Sequence, residues 1–205
     1  QPYFIRRSRG YAPESLLFAA DAPSILAVGA ELKNVFCLTR EHYAFLSHHI
    51  GDMENYETLQ SFQEGIPHFE HLFHIKPRII ACDMHPNYLA THYARQRSTA
   101  DNIPLVEIQH HHAHLAACLT EHQYPLTQTA IGLCLDGTGY GSDGAIWGGE
   151  VLLGSCASYQ RAYHLSYVPL PGGDLSIRKP ARMALSWLWA NGIAWEGDLA
   201  PVSAL

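Results

Sequence analysis

No two of the five cysteines (Cys37, Cys82, Cys118, Cys134 and Cys156) are spaced as CxxC, and an odd, scattered set fits neither a disulfide framework nor a zinc ribbon. Most of them lie in apolar runs, where buried, reduced thiols are expected. Positive charge is scarce. Thirteen Lys and Arg face nineteen Asp and Glu, a net charge of −6, so the surface does not suit a nucleic-acid backbone. Long apolar runs are missing as well. The best, around residues 16–30 and 184–195, are too short or too interrupted to span a bilayer. No N-terminal stretch reads as a signal peptide, so no membrane partner and a cytoplasmic, reducing compartment are expected. With 47% apolar and 11% aromatic residues, the 205-residue chain is neither disordered, collagen-like nor a coiled coil.

What is abundant is histidine: fourteen residues, which raises the interest of any cluster with metal-ligand spacing. Residues 1–23, with Arg6-Arg7-Ser8-Arg9-Gly10, read as a tail, either solvated or touching a phosphate. Three short apolar strands are then expected at 24–31, 34–39 and 43–48. A helix over 56–74 gathers Leu59, Phe62, Ile66, Phe69, Leu72 and Phe73 on one side, with a kink or break at Gly65-Ile66-Pro67. A buried strand at 78–83 precedes a helix starting at Pro86 and running to about residue 95. A strand at 105–109 and a helix at 111–122 complete a βββαβαβα order. The theme then restarts, with strands at 130–136, 145–153 and 159–167 and a helix at 180–190. The fold class expected is α/β, with duplicated βββαβα lobes on the actin-like, ribonuclease-H-like plan. The first lobe would be 24–125. The second, 126–205, would be incomplete.

The chemistry concentrates at strand ends. In His110-His111-His112-Ala113-His114, residues 110 and 114 are four apart and share one helix face, so both imidazoles can bind one ion. Two ligands need an added carboxylate. Asp136 could complete the site or hold a metal-bound water. It opens Asp136-Gly137-Thr138-Gly139-Tyr140-Gly141-Ser142-Asp143-Gly144, whose Gly137, Thr138, Gly139 and Gly141 could bring backbone N–H groups close to an anion; a plain hairpin is the alternative. The loop lacks the Gly-Lys-Ser/Thr ending of a Walker A sequence. The matching loop in the first lobe holds Gly29, Glu31 and Lys33: Lys33 for a phosphate and Glu31 for a metal water, or a simple exposed turn. Pro169-Leu170-Pro171-Gly172-Gly173-Asp174, followed by Arg178 and Arg182, suits anion capture or a solvated helix terminus. Asp83-Met84-His85-Pro86 reads as a helix cap.

These motifs together resemble one family. IQHHHAHLAACLTEH (108–122), LDGTGYGSDGAIWGGE (135–150), VPLPGGD (168–174), ILAVGAELKNVFCL (25–38) and SHHIGDMEN (47–55) are similar to HypF, the carbamoyltransferases of nickel–iron hydrogenase maturation. RRSRGYAPE looks like the end of that family's YrdC-like domain. The resemblance implies an actin-like last domain that moves a carbamoyl group from carbamoyl adenylate to the C-terminal cysteine of HypE. The adenylate would be made from carbamoyl phosphate and ATP by the YrdC-like domain. By the motif match, His110 and His114 are metal ligands, with zinc or iron suiting them equally, and Asp136 lies at the same nucleotide–metal site. Asp136 and Lys33 are the catalytic candidates. Gly29, Glu31, Gly137, Thr138, Gly139, Gly141, Gly172, Gly173, Asp174 and Arg178 are the nucleotide-binding candidates. The family's acylphosphatase domain, zinc-finger pairs, most of its YrdC-like domain and its later transferase half have no counterpart here, so a piece of a longer protein is expected. Two other readings remain open: a docking lobe without turnover, and a zinc peptidase, although HExxH enzymes carry Glu where this chain has His111.

Overall fold

The computed structural model describes residues 14–173 and 175–204. It divides into two compact units, 1–164 and 165–205. The Arg6–Arg9 run and Asp174 lie outside the described residues.

The first unit opens with a correction. Residues expected to belong to a tail form strand β1 (Ser15–Ala22), which runs antiparallel along β3 (Cys37–Leu46) at the sheet edge. The two strands expected at 34–39 and 43–48 are halves of this single β3. Its first half pairs with β2 (Ile25–Ala27) through Leu26 opposite Leu38, and its second half pairs with β1 through Ser15 opposite Phe45. Glu41, at the junction, takes a left-handed φ of 53°, so the chain bends without ending the strand. Three strands therefore precede the first helix, but the third comes from upstream.

Helix α1 (Tyr56–Phe73) begins where the Asn55 side chain accepts the Thr58 N–H at 2.8 Å. The break expected at 65–67 does not occur. Pro67 frees the carbonyl of Gln63, which lies on the exposed face, while Phe62, Ile66 and Phe69 face inward. Gly65 lets Phe36 approach, since a Cβ there would sit 3.2 Å from the Phe36 ring. Leu72, assigned to the apolar side, is exposed.

Strand β4 (Ile79–Asp83) lies parallel to β2, and β5 (Leu105–Ile108) lies parallel to β4, giving the order β1-β3-β2-β4-β5. Between them α2 (Leu89–Asp101) starts three residues after Pro86 and extends beyond residue 95. The delay has a cause. Asp83 Oδ1 accepts the His85 N–H at 2.8 Å, and the first helical N–H, that of Leu89, is taken by Glu31 Oε2 at 2.7 Å. The helix cap proposed for Asp83 is thus supplied from 58 residues away.

Helix α3 (His110–Glu121) starts directly beyond β5, yet its Leu115 and Leu119 pack on a second sheet. That sheet has the order β10-β9-β6, all antiparallel: β6 (Ala130–Cys134), β9 (Glu150–Gly154) and β10 (Tyr159–His164). A two-stranded hairpin, β7 (Gly139–Tyr140) with β8 (Ile146–Trp147), connects β6 to β9. The long strand expected at 145–153 is broken because the Gly148 and Gly149 N–H groups turn in to the Glu150 carboxylate at 2.9 and 3.2 Å.

The second unit contains α4 (Leu175–Arg178), α5 (Pro180–Ala190) and α6 (Ala200–Ser203). Its loop is sewn to its helices. Ser176 and Ser186 donate to the Pro171 and Pro169 carbonyls at 2.7 and 2.6 Å, and Arg182 reaches Pro171.

Two hydrophobic clusters follow from these layers. In the larger, Phe36 is fully buried and meets Phe62 and Phe69 edge-on, with ring centroids 6.1 and 5.1 Å apart. All five cysteines are unbridged, and burial pushes the Cys37 and Cys82 thiols up to about 11. Phe36→Ala should lower the unfolding free energy by about 3–5 kcal/mol, read by urea denaturation; a loss below about 1 kcal/mol would contradict this packing.

Candidate metal centre

Three parallel strands, β2, β4 and β5, end at the same edge of the first sheet, where open α/β sheets present their ligand-binding groups. Asp83 closes β4, and Gln109 and His110 follow β5. From the second sheet, the chain leaves β6 at Cys134 and places Asp136 against the start of α3.

The atoms that meet there form a near-equilateral triangle. His110 Nε2 and His114 Nε2 are 3.2 Å apart, and Asp136 Oδ2 stands 3.3 and 3.4 Å from them. Tetrahedral donors at zinc–nitrogen distances of about 2.0–2.1 Å lie about 3.3 Å from one another, so these three side chains fit a single divalent ion. It is also the one such His/Cys/Asp/Glu group among the described residues. Two imidazoles and a carboxylate suit zinc or iron.

Of the three side chains, His110 is held from behind by a hydrogen bond. His110 Nδ1 donates to Asp83 Oδ2 at 2.6 Å, which leaves its Nε2 lone pair facing the triangle. Asp83 is buried, so its role is to orient and charge-balance His110. Its hydrogen bond raises the His110 pKa, against the opposing effect of burial. His114 moves down, chiefly because burial disfavours its charged form and secondly because His110 is beside it. His111 lies between Asp136 and Gln109. Its Nε2 is 2.5 Å from Asp136 Oδ1, an ion-pair distance without an aligned hydrogen bond.

The glycine-rich loop packs tightly on these rings. A Cβ on Gly139 would lie 2.6 Å from His111 Cε1 and 3.0 Å from His110 Cβ, and one on Gly141 would overlap the Trp147 indole. Three of its N–H groups are committed internally: Gly137 to Gly148 O, Gly141 to Ala145 O and Gly144 to Gly141 O. The anion cradle expected of Gly137 and Gly141 is therefore corrected. Their N–H groups close the loop, whereas the Thr138 N–H is one of those that no acceptor takes among the described residues. Behind the loop, Arg161 stacks over Trp147 at 4.1 Å and pairs with buried Glu150 at 2.5 Å and with Asp143 at 3.3 Å.

The other candidates are placed as follows. Gly29 (φ 74°), Glu31 and Lys33 lie in the loop beyond β2, at the ligand-binding edge of the sheet. Their recorded partners are structural: Glu31 on Leu89, the Lys33 N–H on Asp52 at 2.7 Å, and buried Asn34 bridging the Val28 and Ala30 carbonyls. The 50–53 segment braces that loop through Ile50 to Asn34 and Met53 to Glu31. Gly172 and Gly173 are exposed residues with φ of 89° and 56°, and Arg178 is exposed at the end of α4. They belong to the second unit. Sequence reading missed the roles of Asp83, Gln109, His111, Asn34, Glu150 and Arg161. For Asp83 the signal was present: an acid ending a buried strand whose parallel neighbour ends in the histidine motif.

Two family models match in succession: "HypF Kae1-like domain" over residues 20–121, and "Carbamoyltransferase, Kae1-like Domain, second subdomain" over residues 132–204. The matched class is thus a Kae1-like carbamoyltransferase domain. Carbamoyltransferase HypF2 of Cupriavidus necator is 45% identical over 189 residues, 92% of this chain and 23% of that protein. Carbamoyltransferase HypF of Rhizobium leguminosarum bv. viciae is 44% identical over 202 residues, 98% of this chain and 25% of that protein. A crystal structure of full-length HypF in a phosphate- and nucleotide-bound form superposes with a TM-score of 0.84 at 47% identity, covering 91% of this chain and 24% of that one. The T. kodakarensis HypF structure gives 0.82 at 37%, with the same coverage. The chain belongs to the HypF family, and it spans about a quarter of the length of these relatives.

Asp83→Asn should lower the His110 pKa, followed by NMR titration. The sign is fixed: a raised folded pKa means that the Asp83–His110 pairing stabilises the fold at acidic pH and loses that contribution as pH rises through the folded value. An unchanged His110 titration in the variant would contradict the pairing.

Proposed function

We propose that this chain is the part of a HypF carbamoyltransferase that moves a carbamoyl group from carbamoyl adenylate to a cysteine thiol of HypE in hydrogenase maturation. The observation that supports this most is the His110–His114–Asp136 triangle backed by Asp83, in a chain 45% identical to a named carbamoyltransferase. The nucleotide in a related structure supports a nucleotide donor. The two-sheet arrangement supports a division near residue 125 into two actin-like lobes, the first taking in β1 upstream of the expected residue 24 and the second opening at β6. In each, an early strand pairs antiparallel with a later one, β2 with β3 and β6 with β9.

In the transfer, the thiolate sulfur bonds to the carbamoyl carbon, the carbon–oxygen bond to the adenylate phosphate breaks, and AMP leaves with that electron pair. His110, His114 and Asp136 would hold a divalent ion, which when bound supplies Lewis-acid polarisation of the mixed anhydride. The chain's own part is positional. Asp83 keeps His110 in the tautomer that offers Nε2, and the Thr138 N–H is the loop donor for developing negative charge, a role worth about 3 kcal/mol where such donors have been removed. Lys33 and Gly29 on the first-sheet loop, and Gly172, Gly173 and Arg178 on the second unit, are the remaining candidates for nucleotide phosphates. Glu31 is assigned to bracing α2, since its carboxylate already accepts Leu89 N–H. Carbamoyl phosphate and ATP would enter through the YrdC-like domain of the intact protein. A cytoplasmic location remains part of this proposal; among the described residues no helix is long and apolar enough to cross a membrane. The peptidase reading loses ground to the buried, double-contacted His111, which stands where HExxH enzymes place their glutamate base.

In the intact protein, His110→Ala or His114→Ala should abolish carbamoyl transfer to HypE and release the bound metal, measured by a transfer assay alongside elemental analysis. Normal turnover with full metal content would overturn the assignment.

A further inference from the structure

His111 is not one of the triangle's three donors, yet it is fully buried and touches the triangle's carboxylate. The question is what a buried imidazole does there, and its hydrogen bonds answer it. Gln109 Oε1 accepts the His112 N–H at 2.9 Å, which caps α3 and fixes the orientation of the amide. The Gln109 Nε2 group must then donate. It does so to the Tyr140 carbonyl at 3.2 Å and to His111 Nδ1 at 3.1 Å. His111 Nδ1 is therefore the acceptor, and in the neutral ring the proton sits on Nε2, the atom 2.5 Å from Asp136 Oδ1. The ring has no freedom to reverse this. Gly139 lies against its Cε1 and Nδ1, where even a Cβ would clash, and Trp147 stacks beside it with centroids 6.1 Å apart.

We infer that His111 is a positioning residue: its Nε2–H, locked by Gln109, takes Oδ1 of Asp136 and leaves Oδ2 alone as a single-oxygen ligand beside His110 and His114. The inference rests on the reading of those three residues as ligands. It assigns Asp136's two oxygens to different tasks, in keeping with their distances: Oδ1 to His111, Oδ2 to the imidazole nitrogens at 3.3 and 3.4 Å. Asp136 projects from an exposed loop, so a small turn of its carboxylate aligns Oδ1 with the Nε2–H. Without that donor the carboxylate is free to swing or to offer both oxygens, and the three-point fit is lost.

The test uses the intact protein and zinc as the probe. Nitrogen-15 NMR of the imidazoles should show His111 as the neutral Nε2–H tautomer; an Nδ1–H tautomer overturns the inference, whatever the variants do. Chelator competition should show His111→Phe weakening zinc about 10- to 100-fold, the range for partners that orient a metal ligand, with circular dichroism unchanged. His111→Gln, whose amide N–H can reach the place of Nε2, should recover most of that affinity. Zinc affinity unchanged in His111→Phe, while His114→Ala loses the ion, overturns the inference and leaves the ligand reading standing. Zinc binding that survives His114→Ala in the wild-type background overturns both.

Discussion

The carboxylate of Asp136 belongs to one sheet and the imidazoles it meets belong to the end of another. Helix α3 makes that meeting possible. Its first turn continues directly from β5, and its body lays Leu115 and Leu119 on β6 and β9. Gly132 marks how close that approach is: a Cβ there would lie 2.9 Å from Leu115. The 3.2–3.4 Å triangle is thus set by helix packing as much as by the ligands themselves.

Around this point several polar groups have defined partners, which a low-dielectric interior rewards. Asp83 answers His110, Gln109 answers His111, and Glu150 answers Arg161 and two glycine N–H groups. The glycines of the 137–149 stretch act mainly as room. Gly139 admits the histidine rings, Gly141 admits Trp147, and Gly148 admits the carbonyl of Gly137, 2.8 Å from where its Cβ would stand. The loop's shape follows from what it packs against.

Much of this was legible in the sequence, and the failures have physical reasons. The four-residue spacing of His110 and His114, with an acid expected at the end of the next strand, pointed to the three side chains that converge, although β6 ends at Cys134 and Asp136 lies in the loop beyond it. Period and turn residues located α1 and α5, the second at Pro180–Ala190. Local pattern could not show that β1 fills the sheet edge or that Glu41 bends one strand instead of separating two, because both depend on pairing partners distant in sequence. Nor could it show that Glu31 caps a helix 58 residues on, or that Gln109 dictates a tautomer. Such roles come from distances that only the folded chain creates.

Two imidazole nitrogens and one carboxylate oxygen, at the junction of the two sheets, are proposed to share one ion. X-ray absorption at the metal edge of the intact, purified protein reads that donor set directly. The account predicts scattering from two imidazole rings and an oxygen ligand at about 2.0–2.2 Å. A spectrum dominated by sulfur at about 2.3 Å, or one free of imidazole scattering, would contradict it.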